Sequence, residues 1–187
     1  MKVKIRRSCN EDVESIYNLH TKCFMQSDHW YKSAIKNYVN NGIVIENLKT
    51  HELIGILLQG LMTPCNKKFD IEDDDNYKED IFEPVDDIGK AFVEQKTHYK
   101  EIYGIVMICI DPNFRGKGLG KKLIEKHFND NPDKLLCLNT RRSNINAYSL
   151  YKKMGYIHIG LIKNKYFLPN EDSIFMIRDI FPSEKIL

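Results

Sequence analysis

The sequence predicts a single mixed α/β domain over residues 1–187, with about seven strands in the order β-α-α-β-β-β-α-β-α-β-β. Three observations predict this fold class. Apolar runs of strand length alternate with segments in which apolar residues recur at helical spacing. The composition, 42% apolar and 29% charged among 187 residues, is that of a globular domain large enough to bury a core. No apolar run approaches the roughly 20 residues that would span a bilayer, so we expect a soluble protein without a membrane partner.

The first part of the chain predicts three strands and two helices. Residues 3–7 alternate apolar and basic side chains, as in a half-buried strand. Asn10 is a suitable N-cap for a helix that runs to about Phe24, because acidic residues follow it in the first turn. A second helix is predicted over residues 30–39. A hairpin then follows, with strands at 43–47 and 53–61.

Residues 62–99 lose this periodicity, and we interpret them as an insertion with one helix around 85–95. Within it, residues 70–87 hold ten acidic side chains and one basic one, a net charge of −9 in a chain whose total is +2. Two interpretations stay open. The segment is a solvated loop, or its carboxylates steer a cationic substrate such as a basic peptide or a polyamine.

The second part of the chain predicts the centre of the sheet. Residues 102–110 form a nearly continuous apolar run, as expected of a strand that is buried on both faces. A glycine-rich turn and a helix over 118–128 follow. The chain then continues with a strand at 134–139, a helix at 147–154 that ends at Gly155, and strands at 156–162 and 174–180.

The cysteines and histidines argue against disulfide bonds and a metal site. The five cysteines are an odd number and include no C-x-x-C, and the N-terminal residues lack the apolar region of a secretory signal. We therefore expect reduced thiols in the cytoplasm, or alternatively in the nucleus. The six histidines lack zinc-ligand spacing, so we expect no bound metal.

The turn after the 102–110 strand carries the clearest chemical signal, Arg115-Gly116-Lys117-Gly118-Leu119-Gly120. Glycines let several backbone N–H groups converge, and the following helix N-terminus adds partial positive charge, so the turn is typical of a pyrophosphate cradle. Its spacing matches neither G-x-x-x-x-G-K-[ST] nor G-x-G-x-x-G. The alternative is a tight turn that binds no ligand.

The turn matches R-x-x-G-x-G, which resembles the acetyl-CoA signature of the GCN5-related N-acetyltransferase (GNAT) superfamily. A second stretch, residues 144–156, is similar to that family's N-x-x-A-x-x-L-Y-x-x-x-G-[FY] segment. The resemblance extends over essentially the whole chain except residues 62–99. It implies the GNAT fold, with a mixed sheet whose fourth and fifth predicted strands splay apart, and acetyl-CoA as co-substrate.

The resemblance also implies where acetyl-CoA binds. Backbone groups of the strand end would pair with the pantetheine arm, the glycine turn would hold the pyrophosphate, and two side chains would lie near the thioester. These residues are Ile108, Cys109 and Ile110 for the pantetheine; Arg115, Gly116, Lys117, Gly118, Leu119, Gly120 and Lys121 for the pyrophosphate; and Asn144 and Tyr151 for the thioester. Tyr151 would act as the general acid, because a phenol stays protonated near neutral pH and can donate to the departing thiolate. The alternative for Tyr151 is a core aromatic on an amphipathic helix.

Four further stretches carry a finer signal: Phe24-Met25-Gln26 followed by Trp30-Tyr31, then Tyr103, Lys163-Asn164-Lys165-Tyr166, and Glu171-Asp172-Ser173 with Met176. Together they resemble the N-alpha-terminal protein acetyltransferase branch of the superfamily. By this resemblance Phe24 and Tyr31 border the acceptor peptide, Tyr166 binds the acceptor, and Tyr103 takes part in catalysis. Asn139 stands where a group of these enzymes carries a catalytic histidine. An amide cannot accept a proton but can hold a water, so we expect Tyr103 and Asn139 to hold the water that relays the proton of the amine.

This departure favours an α-amine acceptor. The pKa of an α-amine is about 7.7–8.0 against about 10.4 for lysine, so part of it is already neutral at pH 7 and needs only a weak base. The preferred hypothesis is an N-acetyltransferase that transfers acetyl to a protein or peptide N-terminus by direct attack in a ternary complex. Oligomeric state is left open between monomer and dimer.

Four alternatives compete with this hypothesis. The same scaffold can acetylate a small amine or polyamine, or bind acyl-CoA without catalysis, for which Asn139 is the argument. A thiol nucleophile at Cys109 or Cys137 is disfavoured, because both lie in apolar strands. Nucleic-acid binding ranks last, because the basic residues cluster around the predicted cofactor turn without a stacking-aromatic motif; we expect no nucleic-acid partner.

Overall fold

A computed structural model describes residues 1–62, 82–94, 102–167 and 169–178. Within these ranges the chain forms eight strands and five α-helices. The strands are β1 (Val3–Arg7), β2 (Ile43–Asn47), β3 (Leu53–Met62), β4 (Phe82–Pro84), β5 (Ile102–Ile110), β6 (Leu135–Arg141), β7 (Ile157–Phe167) and β8 (Asn170–Arg178). The helices are α1 (Val13–Cys23), α2 (Lys32–Tyr38), α3 (Asp87–Glu94), α4 (Leu119–Asp130) and α5 (Ile145–Lys153).

The chain divides into two compact units. The first unit comprises Met1–Gly60 and Ile105–Pro132, and the second comprises Leu61–Gly104 and Asp133–Leu187. The expectation of a single domain stays a prediction, as does the splay of the strands at 102–110 and 134–139.

The first unit is a sheet in the order β1-β2-β3-β5 with helices packed on it. β1 and β2 are antiparallel, with Ile5 opposite Ile45, and β2 continues into the β3 hairpin as the sequence predicts. Apolar side chains of α1 and α2 pack against the sheet in one core cluster, whose fully buried members include Ile16, Ile35, Val39, Val44, Ile56 and Leu58. Burial of a side chain of this size contributes roughly 1.5–3 kcal/mol, so this cluster fixes both helices on the sheet.

The first helical turn begins one residue earlier than predicted. Cys9, not Asn10, is the N-cap, and Asn10–Asp12 form a 3₁₀ turn before α1. The cause is Asp12: its carboxylate accepts from the backbone N–H of Cys9 at 2.9 Å, while its own N–H donates to the Cys9 carbonyl at 2.9 Å. Arg6 donates twice to the same carboxylate, at 2.7 and 2.8 Å, and thereby joins β1 to the helix start.

The second unit is a sheet in the order β6-β8-β7-β4, with neighbouring strands antiparallel. Its core cluster contains Cys137, Ile159, Ile162, Phe175 and the α3 residue Phe92. The helix predicted around 85–95 is confirmed as α3. The short strand β4 was not predicted, so the described residues contain eight strands where about seven were expected, and the strand predicted at 102–110 is β5.

The boundaries of three strands in the second unit differ from the prediction. β6 begins and ends later, and β7 and β8 extend toward each other as a long hairpin that pairs Phe167 with Asn170. Polar residues such as Lys163 and Asn164 lie in this hairpin, and apolar periodicity does not mark them as strand. Of the acidic window, only Glu83, Asp86 and Asp87 lie in the described residues; the others, at 70–80, lie outside them.

Candidate active site

The glycine turn leaves the end of β5 in the first unit. The Asp111 backbone N–H donates to the carbonyl of Ile54 at 3.0 Å, and its carboxylate accepts from the N–H of Asn113 at 2.9 Å. A 3₁₀ turn over Pro112–Phe114 follows, and it directs the chain from the strand toward α4. The loop is therefore held at its entry by hydrogen bonds.

Gly116 and Gly118 adopt φ angles of +74° and +73°, in the left-handed region that glycine reaches without strain. A Cβ atom at either position would meet nothing within 4 Å, so backbone conformation, and not crowding, requires glycine here. α4 begins at Leu119, and the first N–H groups of a helix have no partner within it. Exposed cations surround this helix start, namely Arg115, Lys117, Lys121 and Lys122. Free N–H groups and cations in one place suit a pyrophosphate.

The last carbonyl of β5 is held from two sides. Arg115 Nε donates to the carbonyl of Ile110 at 3.1 Å, and the Cys23 thiol donates to the same oxygen at 3.4 Å. The hydrogen bond with Cys23, and then burial, raise the pKa of the Cys109 thiol well above its ordinary value. Cys109 therefore stays a thiol, which agrees with a packing role and argues against a nucleophile at this position.

Tyr151 lies on α5 in the second unit and is 5% exposed. Burial, and secondarily the nearby phenol of Tyr166, raise its pKa well above the usual tyrosine range. The ring of Tyr156 packs edge-on against it, with centroids 6.0 Å apart. Tyr151 is thus a phenol that stays protonated at every working pH and has a hydroxyl proton to donate.

Asn139 lies on β6, opposite Phe175 of β8. Its side-chain oxygen is shielded from solvent and accepts no hydrogen bond from the described residues. A buried acceptor left unsatisfied costs about 1–3 kcal/mol, so it is a place for a bound N–H or O–H donor.

Tyr103 and Tyr166 are each covered by a cation. The Lys134 ammonium lies 4.4 Å from the centroid of the Tyr103 ring, and the Arg141 guanidinium lies 4.0 Å from that of Tyr166. Arg141 also donates to Glu171 at 3.3 Å, and the Ser143 hydroxyl donates to the same carboxylate at 3.0 Å. The role of Arg141 was not predicted, because its contacts join β6 to the β7–β8 hairpin and so involve residues far away in the sequence.

Asn144 is the N-cap of α5. Its side-chain oxygen accepts from the backbone N–H of Ala147 at 3.2 Å. Helix capping alone is therefore enough to explain why this position holds an asparagine. A position near the thioester stays a prediction.

The segment between α1 and α2 holds the predicted acceptor residues of the first unit. Phe24 is half-buried, whereas Tyr31 is 83% exposed and so available to a ligand. His20 of α1 packs on Phe24, with ring centroids 4.7 Å apart. His20 was not predicted as a functional residue, because the sequence shows it only as one member of an apolar helix face. Its hydrogen-bond partner, the backbone N–H of Trp30, lies ten residues further along the chain.

The predicted site residues thus fall into two groups. The first unit contains the strand end at 108–110, the glycine turn at 115–121, Phe24 and Tyr31. The second unit contains Tyr103, Asn139, Asn144, Tyr151 and Tyr166. No set of three metal-ligating side chains occurs among the described residues, and none of the described helices is long and apolar enough to cross a membrane.

Comparison with known families adds an independent observation. Residues 77–158 match a family model described as an acetyltransferase (GNAT) domain. Over these residues, which are less than half of the chain, the protein is similar to GNAT acetyltransferase domains. The GNAT match contains the glycine turn, Asn139 and Tyr151, whereas Phe24, Tyr31 and Tyr166 lie outside it.

Two curated proteins and one solved structure illustrate the similarity. N-alpha-acetyltransferase RimI of Mycobacterium tuberculosis is 29% identical over 77 residues, which are 41% of this chain and 49% of RimI. An uncharacterised protein of Mycobacterium leprae is 30% identical over 93 residues, which are 49% of this chain and 26% of that protein. The chain thus spans half or less of the curated relatives it matches. Arabidopsis thaliana NAA60 in complex with acetyl-CoA superposes with a TM-score of 0.68 at 16% identity, over 94% of this chain and 98% of NAA60, which shows the GNAT fold.

Proposed function

We propose that this protein is an acetyl-CoA-dependent N-acetyltransferase. The observation that carries the proposal is the turn at 115–121, where two left-handed glycines, a helix start and exposed cations lie within a GNAT match. Backbone N–H groups of the first turn of α4 and the side chains of Arg115, Lys117 and Lys121 would hold the pyrophosphate. The backbone of Ile108–Ile110 would pair with the pantetheine arm.

The reaction transfers the acetyl group directly from sulfur to nitrogen. A neutral amine attacks the thioester carbonyl, a C–N bond forms, and the C–S bond breaks. Tyr151 donates its hydroxyl proton to the departing thiolate, and its buried, protonated state supports this assignment. The proton of the amine passes to a water held by Asn139 and Tyr103 and from there to bulk solvent. Tyr151 then regains a proton from solvent.

The acceptor that we propose is the α-amine of a protein or peptide. Asn139 supplies an acceptor oxygen but no base, which suffices for an amine that is partly neutral at pH 7. The similarity to RimI and NAA60 also supports this class of acceptor. We further propose that the protein acts in the cytoplasm, because its five cysteines are an odd number and are scattered along the chain, as is typical of reduced thiols.

The test uses purified protein, acetyl-CoA and three acceptor panels, with release of free CoA thiol as the readout. The panels are peptides with a free N-terminus, the same peptides with a blocked N-terminus and one lysine, and polyamines. We expect thiol release with the first panel, together with a mass gain of one acetyl group at the N-terminus. Release with polyamines alone would instead support a small-amine enzyme.

A second candidate is a module that binds acyl-CoA without catalysis, which the amide at Asn139 favours. It predicts saturable binding of acetyl-CoA, measured by calorimetry, with no thiol release from any panel. Thiol release that depends on Tyr151 would exclude it.

A further inference from the structure

His20 is a buried histidine at the C-terminal end of α1, with 1% of its surface exposed. Its Nε2 accepts a hydrogen bond from the backbone N–H of Trp30 at 2.8 Å. This bond spans the segment 24–31 between α1 and α2, which we call the α1–α2 loop. A side chain of the helix thereby fixes a backbone position near the far end of this loop.

The hydrogen bond determines which tautomer His20 adopts. Because Nε2 accepts, the ring proton must lie on Nδ1. Nδ1 is itself buried and has no hydrogen-bond partner among the described residues. The imidazole thus makes a well-formed hydrogen bond to Trp30, whereas its buried Nδ1 has at most a weak interaction with the Asp28 backbone. Since a leucine or phenylalanine at this position would avoid that cost, the bond to the loop explains the histidine.

Aromatic rings of the loop surround the same imidazole. The ring centroid of Phe24 lies 4.7 Å away, that of His29 5.6 Å and that of Trp30 6.5 Å. Trp30 packs in turn on Tyr38 of α2, at 5.8 Å. His29 Nε2 donates to the carbonyl of Phe24 at 3.0 Å, because a carbonyl oxygen can only accept. The loop is therefore folded around His20.

The charge state of His20 follows from the same surroundings. Burial, and then the nearby His29, lower its pKa to about 4, while Asp28 acts weakly in the opposite direction. His29 and Asp28 both belong to the loop, and α2 contributes the uncharged Tyr38 through Trp30. His20 is thus neutral near pH 7 and keeps its acceptor nitrogen available to Trp30.

We propose that His20 is a positioning residue that holds the α1–α2 loop in the conformation that binds the acceptor. The inference rests on the proposed function in one respect, the assignment of Phe24 and Tyr31 of this loop to acceptor binding. His20 acts through the loop backbone and takes no part in proton transfer. Loss of its acceptor nitrogen should therefore weaken acceptor binding and leave the chemical step intact.

Steady-state kinetics with three variants test this role. His20→Phe removes the acceptor atom but keeps a ring, and we expect the acceptor KM to rise about tenfold, while kcat and the acetyl-CoA KM change less than about twofold. His20→Gln places an amide oxygen near the position of Nε2 and should restore most of the acceptor KM. Val13→Ala, a buried change on the same helix, controls for general loss of packing and should leave the acceptor KM unaltered. An unchanged KM in His20→Phe, or a tenfold rise in Val13→Ala as well, would overturn the proposal.

Hydrogen exchange at the Trp30 amide tests the structural half without any enzymatic turnover. At neutral pH we expect slow exchange of this amide in the wild type and His20→Gln, and exchange at least tenfold faster in His20→Phe. If the Trp30 amide exchanges faster only in His20→Phe but no acceptor is acetylated, the proposed function is wrong and the His20–Trp30 hydrogen bond is still supported. If exchange is equal in all three proteins, the proposal is wrong whatever the activity.

Discussion

Asn139 combines an acceptor oxygen, burial and the absence of a proton-accepting nitrogen in one side chain. A histidine there would hold the same water and also take its proton. On the proposed mechanism, asparagine would restrict the enzyme to amines that lose their proton easily. The rate should then lack the fall at low pH that protonation of a catalytic histidine would cause.

Replacement of Asn139 separates water binding from proton transfer. Asn139→Ala should lower kcat roughly 10- to 100-fold, because the water loses its acceptor. Asn139→His should recover activity and make kcat fall below about pH 6.5, where imidazole becomes protonated. The measurement is kcat against pH for both variants. A flat profile in Asn139→His would remove residue 139 from the proton path.

Tyr151 should show its role in a comparison with its neighbour. Tyr151→Phe is expected to lower kcat about 100-fold and to leave acetyl-CoA binding nearly unchanged, since only the hydroxyl proton is lost. Tyr156→Phe, which changes the adjacent buried ring, should keep kcat within about threefold. Because the pKa of Tyr151 is raised, the wild-type rate should show no loss from its ionisation up to about pH 10. Equal kcat values for both variants would contradict the assignment.

Residues in local motifs were predictable and residues in long-range contacts were not. The positions of Gly116 and Gly118 in the turn and of Tyr151 on α5 follow from spacing along a few residues, because both elements are local. The catalytic role of Tyr151 stays a prediction. The Arg141 contact with Tyr166 and the His20 contact with Trp30 depend on how separate elements pack. Single-sequence patterns contain no signal for such pairs.

At the level of elements, the proposed pyrophosphate site depends on the conformation of the strand-to-helix turn at 115–121. Gly118→Ala should lower the free energy of unfolding by roughly 1–2 kcal/mol, because alanine is strained at the φ of +73° that this position adopts and the turn must otherwise rearrange. It should also weaken acetyl-CoA binding, since the N–H groups no longer converge. Calorimetric Kd and thermal unfolding measure the two effects.

Gly155 provides the matched control for that substitution. It ends α5 with a φ of +88°, and a Cβ there would meet Arg178 only at an ordinary contact distance of 3.4 Å. Gly155→Ala should therefore cost similar stability but leave the acetyl-CoA Kd unchanged. If both variants bind acetyl-CoA equally well, the turn at 115–121 is not the pyrophosphate site.

The start of α1 makes stability depend on pH. Burial alone would raise the pKa of the Asp12 carboxyl, but hydrogen bonds from Arg6 and from the Cys9 backbone outweigh it, and the pKa is lowered. A lowered folded-state pKa means that this stabilisation is complete above the unfolded value, about 3.9, and is lost as the pH falls below it. Asp12→Asn should lower the free energy of unfolding by about 1–3 kcal/mol at pH 7, and the difference should shrink below about pH 4. A difference that is constant with pH would rule out the ionised pair as its source.

Element boundaries were predicted best where apolar periodicity ends at a turn residue. β1, β2 and β5 have their predicted limits. Ser8 follows β1 and Asp111 follows β5 at once, and the polar turn that begins at Lys49 comes one residue after β2. The β7–β8 hairpin exceeds its predicted limits, because backbone pairing continues through Lys163, Asn164 and Lys165 without apolar alternation. β4 has three residues, too few for any periodicity.

For the whole molecule, the net charge of +2 conceals a body of +11 and an acidic window of −9. Residues 115–126 hold five basic side chains and one acidic one, a net charge of +4, which should contribute to binding of the polyanionic end of acetyl-CoA. The acetyl-CoA Kd should therefore rise several-fold between about 20 mM and 500 mM salt, as screening shortens the Debye length. An uncharged acetyl-pantetheine, which lacks the phosphates, should bind with little salt dependence. Equal salt dependence of the two ligands would contradict electrostatic holding of the pyrophosphate.

The outer strand of the second unit has a consequence for behaviour at high concentration. β4 ends the strand order, is three residues long, and contains Pro84 opposite Gly160. Proline has no backbone N–H, so this edge of the described sheet gives a second chain little to pair with and resists edge-to-edge aggregation. Concentrated protein should stay dispersed for that reason, and Pro84→Val, which supplies the missing N–H, should accelerate the growth of dye-binding fibrils.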